Sequence, residues 1–401
     1  MSRLPEILLV SVLLASLPLN RAVSDIAPSP LTGGHPVFRH GEGTTDVRMV
    51  EEDVVVRLYA DSIVTVASFA IQNEGETIEM EVGFPFAYRN DVMRFRAFVD
   101  GRPVAVHDGQ EERSDPKGRK RRTVYWKLWD TTFQEGEGCA IRVEYKTKPF
   151  VSHFPVEELP SLPADVLETM RRATTINTVE YTLGTGKSWK GVLDHCKLSF
   201  ELVGMSAAHI NHCSPDGYAV AENRVVWEYT DYEPRGGVIL TYCPYMPLHE
   251  IPEVLRGIVE RFPNDPLVAS AAGRFCDSPL GRGDAMLEIY HSFLARWNEP
   301  IPQLMEYAPG SRCRFDFEAG NHFFTVWRMA RILFERCQEL QAIERCRDIA
   351  PTVSRISGAI VDSLDTCGGL PSRDARLFGQ AKELLDLSNG LIKANESPTE
   401  Q

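Results

Sequence analysis

Asp53-Val54-Val55-Val56-Arg57-Leu58 places Val54, Val56 and Leu58 on one side of an extended chain and Asp53, Val55 and Arg57 on the other. Alternation at period two is the pattern of a strand with one buried and one wet face. It continues through the β-branched and aromatic run Ile63 to Ile71, then Ile78-Glu79-Met80-Glu81-Val82 and Phe95-Arg96-Ala97-Phe98-Val99. Further copies are Val124-Tyr125-Trp126-Lys127-Leu128, Ile141-Arg142-Val143-Glu144-Tyr145, Val179 to Leu183, Val225 to Tyr229 and Val238 to Tyr242. Antiparallel sheets show such alternation, whereas the strands of parallel α/β folds are apolar throughout. Asp100-Gly101, Glu74-Gly75 and Asp216-Gly217 fall between the runs, where tight hairpins need positive φ. So many short strands predict an N-terminal antiparallel β-sandwich over residues 25–246, with a short helical insertion at about 156–173.

After Pro244 and Pro247 the period becomes 3.6. Pro252 opens a helix through Leu255, Ile258, Val259 and Phe262 that Pro263 and Pro266 end. The strongest helical pattern, Phe323 to Ile343, carries the apolar stripe Phe323, Val326, Trp327, Ala330, Leu333, Phe334, Cys337 and Leu340. Further helices are expected over Ala285 to Trp297, Thr352 to Leu364 and Asp374 to Ile392. The predicted C-terminal unit, residues 247–394, is an all-α helical bundle, followed by a polar, disordered tail at 395–401. Arg261-Phe262-Pro263-Asn264-Asp265-Pro266 resembles a tetratricopeptide helix end, but no second copy follows about 34 residues on, so no repeat array is expected.

The chain has 401 residues, a net charge of −13, 43% hydrophobic and 25% charged residues, so it is neither disordered nor collagenous nor a multi-span membrane protein. Its acidity argues against nucleic acid as a partner, because phosphate binding needs an excess of Lys and Arg. Arg3, the apolar run Ile7 to Leu19 and Ala22-Val23-Ser24 form a charged start, an apolar core and a small-x-small cleavage site. Residues 1–24 therefore read as a secretory signal peptide, placing the mature chain in the periplasm or outside the cell with no stable membrane insertion. Export favours disulfide staples, although the nine cysteines are an odd number.

Several motifs resemble chemical sites. Gly184-Thr185-Gly186-Lys187-Ser188 lacks the first glycine of a phosphate loop, since position 181 is Tyr181, and strand rather than helix follows. His249-Glu250-Ile251-Pro252-Glu253 has Glu253 where a zinc protease needs its second histidine. His195, His209 and His212 could ligate zinc across a hairpin, but a Cys196 to Cys213 disulfide with surface histidines accounts for the cluster more simply. Arg119, Lys120, Arg121 and Arg122 belong to a basic run at an expected hairpin tip, suited to docking a polyanion, or simply a solvated loop. The adjacent acids Glu51, Glu52 and Asp53 point to opposite faces of a strand and read as solvated surface. Asp316, Glu318 and His322 precede the strongest helix and are the candidates for catalysis, although a capping role explains this segment as well.

Asn73-Glu74-Gly75, Gly83-Phe84-Pro85 and Leu183-Gly184-Thr185-Gly186 with Trp189 and Gly191 together resemble an exported bacterial β-domain family of unknown function, over about residues 30–245. The resemblance implies an extracytoplasmic β domain and supplies no catalytic residue. Trp189 then serves as a plug against the sheet or, with Lys187, as a stacking platform for a ligand. The function expected from sequence is a non-catalytic binding or structural module of the cell envelope, whose partner is an envelope component or a polyanion. The alternative is a cell-envelope polymer hydrolase with a site between the two halves. No cofactor is implied.

Overall fold

The computed structural model describes residues 37–38, 46–86, 92–114, 121–152, 162–183, 189–233, 237–263, 265–273, 275, 280–297, 305–306, 314–315, 321–365 and 372–396. Strands dominate as far as Tyr242, and helices follow. The first strands are β1 (Val37–Phe38), β2 (Val47–Leu58), β3 (Ile63–Asn73), β4 (Ile78–Phe86), β5 (Met93–Val99) and β6 (Arg102–Pro103). Next come β7 (His107–Ser114), β8 (Arg121–Phe133), β9 (Gly138–Thr147), β10 (Phe150–Ser152) and the helix α1 (Ala164–Thr174). Then β11 (Ile176–Thr182), β12 (Leu193–Leu202), β13 (Ile210–Ser214), β14 (Ala219–Ala221), β15 (Arg224–Tyr232) and β16 (Gly237–Tyr242) complete the region.

The largest sheet has the order β14-β15-β12-β2-β3-β9-β5-β6, and two four-stranded sheets have the orders β1-β4-β8-β7 and β10-β11-β16-β13. One core joins all three: Val54, Val56 and Val143 from the large sheet meet Val82, Phe84 and Trp129 from one small sheet and Val179, Tyr181 and Leu240 from the other. The expected antiparallel pairing fails at one place. β12 runs parallel to β2, with Lys197 opposite Asp53 and Phe200 opposite Val56, so the large sheet is mixed. Alternation cannot distinguish these cases, because a parallel pair with one wet face alternates in the same way.

The motif residues serve this architecture. The Asn73 side chain donates to the carbonyls of Glu76 and Phe133 at 2.8 and 3.0 Å, and accepts the Gly75 N–H at 3.0 Å. It thereby closes the β3–β4 turn onto β8. At Gly83, an added Cβ would lie 2.7 Å from the Trp126 ring and 2.8 Å from Leu128, so only glycine lets those two side chains cross it. Trp189 is 6% exposed and belongs to the β core. The turn after it is fastened to β2 by the Lys190 N–H, which donates to the Val47 carbonyl, and by Lys190 Nζ, which lies 3.0 Å from both Asp46 and Glu74. Asp100 and Gly101 both take positive φ in the β5–β6 turn.

The helices are α2 (Ile251–Arg261), α3 (Pro266–Gly273), α4 (Asp284–Arg296), α5 (Asn321–Glu339), α6 (Ala350–Asp365) and α7 (Ser372–Glu396). A two-stranded ladder pairs β17 (Met305–Glu306) with β18 (Arg314–Phe315). Three differences from the sequence reading stand out. Pro266 begins α3 rather than only ending its predecessor, since proline loses nothing at a first helical position. α5 stops at Glu339, four residues early, where Gln341 adopts a positive φ and Ile343–Cys346 forms a short 3₁₀ turn. α7 continues to Glu396, so the expected tail at 395–401 is partly helical, with residues beyond 396 outside the described set.

The inserted helix α1 spans Ala164–Thr174, the earlier part of the expected insertion at 156–161 lying outside the described residues, and it packs its apolar face away from the β core. Val166 and Met170 join Leu255, Tyr290, Trp327 and Ile356 in the helical core. The Arg171 guanidinium lies 5.6 Å from the Tyr245 ring centroid, and this contact ties the insertion to the junction between the two regions. The expected signal peptide, residues 1–24, lies outside the described residues. Among the described residues no helix is long and apolar enough to cross a membrane.

Replacing Gly83 by alanine should lower the unfolding free energy by about 2 kcal/mol through overpacking against Trp126. Gly257→Ala, on the exposed side of α2 with nothing within 4 Å of the new Cβ, should instead raise it by roughly 0.5 to 1 kcal/mol. Urea unfolding of the two variants beside the parent chain checks both signs.

Candidate functional site

β2 lies between the parallel β12 and the antiparallel β3 near the middle of the large sheet. Val47 and Met49 face the core, and then a bulge between Met49 and Glu51 shifts the register against β3. One extra residue inverts which side chains point inward. Glu52, Val54, Val56 and Leu58 are consequently buried, while Glu51 and Asp53 are exposed on the opposite, open face.

On that face the register aligns one row across five strands: Lys197, Asp53, Ser68, Arg142 and Phe98. A groove of about 400 Å³ follows this row and its neighbour. Glu51 and Asp53 form one wall, Arg142 and Phe98 the other, and the small side chains of Ser68, Ala70 and Ala140 form the floor. Two strand spacings, roughly 10 Å, separate the β2 and β9 backbones, enough for a small ligand to lie across β3. The Arg142 guanidinium is 4.7 Å from the Phe98 ring centroid and forms an ion pair with Glu144, which Arg96 also meets at 2.5 Å. Arg142 is therefore held in place while half its side chain remains exposed. The walls carry opposite charge, so the groove suits a ligand with a cationic group at one end and an anionic or hydrogen-bond-accepting group at the other.

Directly beneath lies Glu52, with no exposed surface. The Tyr181 hydroxyl donates to its Oε1 at 3.0 Å, and the Cys196 thiol donates to Oε2 at 3.5 Å. This corrects two sequence expectations. Glu52 is not solvated surface, because the bulge turns it inward. Cys196 and Cys213 are not joined as a disulfide, because Cys196 sits in the large sheet pointing at Glu52 while Cys213 pairs opposite Leu240 in a small sheet. Burial, with the Glu52 charge beside it, pushes the Cys196 thiol far above its ordinary value and keeps it protonated. Burial also raises Tyr145 and Tyr181, with Glu52 contributing to both.

The other sequence candidates are dispersed. His195 lies on the open face, 2.9 Å from Glu228. His209 contacts the Ser206 backbone, and His212 pairs opposite Thr241 in a different sheet from His195. Among the described residues no group of three His, Cys, Asp or Glu side chains could hold a metal ion. Trp189 is in the core, so its ring has no free face for stacking, and Lys187 lies outside the described residues. Arg119 and Lys120 also lie outside them. Arg121 and Arg122 begin β8, opposite Ser114 and Arg113, and their side chains are not described. Asp316 and Glu318 are outside the described residues, as is the side chain of His322 in the first turn of α5.

Sequence reading missed Arg142, Phe98 and Ser68. One signal was available: in Phe95-Arg96-Ala97-Phe98-Val99 the aromatic Phe98 shares the outward face with Arg96, where a polar residue is the rule. Which strand would bring it a partner depends on sheet order, which periodicity does not encode.

No family model matches the chain, and no curated protein matches it. Among solved structures, it is similar to a Legionella pneumophila protein provisionally described as nutrient binding, at 13% identity and a TM-score of 0.41, over 74% of this chain and 97% of that one. It is also similar to an M1 zinc metallopeptidase of Deinococcus radiodurans, at 12% identity and a TM-score of 0.26, over 51% of this chain and 43% of that one. Similarities at this level carry no argument about function.

Glu52→Ala should cost about 3 kcal/mol, since it leaves a cavity and strands the Tyr181 and Cys196 donors, while Glu51→Ala should stay within about 0.5 kcal/mol. Denaturant titration of both variants tests the contrast. Stability should also fall in alkali. Burial raises Cys139 and Cys213 to about 11 from 9.0, and Tyr229 and Tyr242 to about 12 from 10.0. These groups are neutral when protonated, so above their unfolded values unfolding releases protons and rising pH favours it. Melting temperature should be insensitive to these groups below pH 9 and decline from pH 9 to 12, which a series of thermal melts will show.

Proposed function

We propose that this protein is a non-catalytic binding module of the cell envelope, exported to the periplasm or beyond, whose ligand lies in the groove on the open face of the large sheet. The observation that carries the reading is the pairing of walls: Glu51 and Asp53 on one side, and Arg142 braced by Phe98 and Glu144 on the other, over a floor of small residues. Such a groove binds and orients. The ligand class that fits is a small zwitterion, such as a short peptide or an amino sugar acid, with its ammonium toward the acids and its carboxylate toward the guanidinium. The three sheets around one core are read here as an elaborated β-sandwich, and the helices that pack on α1 as a bundle. Membership of the exported β-domain family belongs to the same proposal, supported by the structural roles of Asn73 and Gly83.

Isothermal titration with di- and tripeptides and with muramic acid provides the test. Binding should weaken by about tenfold or more in Arg142→Ala, the loss of one charge-assisted contact, and comparably in the Glu51→Gln, Asp53→Asn double variant, with the unfolding midpoint unchanged. Binding that survives both changes, or none by any of these ligands, overturns the reading.

A further inference from the structure

α5 ends at Glu339, and the chain reverses through Leu340, Gln341 and Ala342 before Ile343–Cys346 forms its short 3₁₀ turn. The reversal is tight: the Ala342 N–H donates to the Cys337 carbonyl at 2.8 Å, and Gln341 takes the positive φ that turns the backbone. It returns Cys346 beneath the last turn of α5, where its sulfur lies 3.2 Å from that of Cys337. Both belong to the helical core. Cys346 has no exposed surface, while Cys337 retains 8%.

The geometry points to Cys337 and Cys346 as an oxidisable pair that forms a disulfide across this reversal, a staple holding the start of the α5–α6 connection to α5. The sulfurs are already in contact, so bonding them needs only a small approach, and the short connection keeps them together. The oxidant is a low-molecular-weight disulfide such as glutathione disulfide. The Cys337 thiolate, nearer solvent, attacks one of its sulfurs and expels a glutathione thiolate, leaving a mixed disulfide. The Cys346 thiolate then attacks the Cys337 sulfur and expels the second glutathione. Two protons from the protein thiols pass to the two glutathione thiolates, and the two electrons lost by the pair reduce one disulfide. Burial, followed by the hydrogen bond and charge of Cys337, raises the Cys346 thiol, which therefore acts second, once its neighbour is a mixed disulfide.

The bond would also shape a surface. Ile343 forms one wall of a groove of about 630 Å³ whose other lining residues, including Lys382, Asp386 and Leu391, come from α7. Fixing Cys346 to α5 immobilises that wall. This inference is independent of the groove on the sheet.

Trypsin separates the two cysteines, because Arg336, Arg345 and Arg347 flank them. The full chain is incubated with oxidised or reduced glutathione, denatured, alkylated and digested without reduction. After oxidised glutathione, peptide 337–345 should appear linked to peptide 346–347, lighter by two hydrogens than the sum of the two, and the link should vanish on reduction. In Cys337→Ser, Cys346 should be fully alkylated. The oxidised parent should melt several degrees above the reduced one, and Cys337→Ser, Cys346→Ser should lose that difference. Separate alkylation of both peptides after oxidised glutathione, linkage of either to a different cysteine, or an unchanged melting difference in the double variant overturns the assignment.

Discussion

A carboxylate with no exposed surface lies in the middle of the large sheet, and it is there because β2 contains one residue more than its partner β3 requires. Without the bulge after Met49, the parity set by Val47 and Met49 would send Glu51 and Asp53 into the core, two charges with no place to go. With it, a single acid enters and finds the Tyr181 hydroxyl and the Cys196 thiol, while the two others turn outward. Those partners come from different sheets, β11 in a small sheet and β12 in the large one. The same buried contact therefore joins two layers and fixes which acids line the open groove.

The open face and the core are consequences of one choice of register. Arg142 is positioned for the groove because Val143 and Ile141 on either side are core residues, and Phe98 because Ala97 and Val99 turn inward. A groove built on strands whose alternate residues are close-packed is stiff, so its walls are held before any ligand arrives. The helices are tied to this framework by α1, which leaves the β region to complete the helical core, and by the backbone contacts of Ala208 and His209 with Leu248 and Cys243.

Much of the order of elements was legible. Alternation in Val54 to Leu58 and Ile141 to Tyr145, and the 3.6-residue stripe from Phe323 onward, are local consequences of burying one face, and the structure follows them. The functional surface was far less legible. Glu52 shares the parity of Val54, Val56 and Leu58, whereas Glu51 and Asp53 share that of Val47 and Met49, and only the bulge lets both apolar sets face the core. The Cys196 and Cys213 spacing suggested a bond, but the 16 intervening residues say nothing about which sheet each strand joins. Trp189 could be read as plug or platform, and its burial decides for the plug.

What the amino-acid sequence determined by itself was the local period, a strand-patterned region followed by a helix-patterned one, together with the turn residues that separate the elements. These follow from nearest-neighbour geometry and the cost of leaving apolar side chains wet. The tertiary structure alone decided the parallel β2–β12 pairing, the inward turn of Glu52, the assembly of Asp53, Ser68, Arg142 and Phe98 into one row, and the meeting of Cys337 with Cys346. Each depends on contacts between segments whose mutual placement is set by packing of the whole core, a constraint that no local pattern of residues carries.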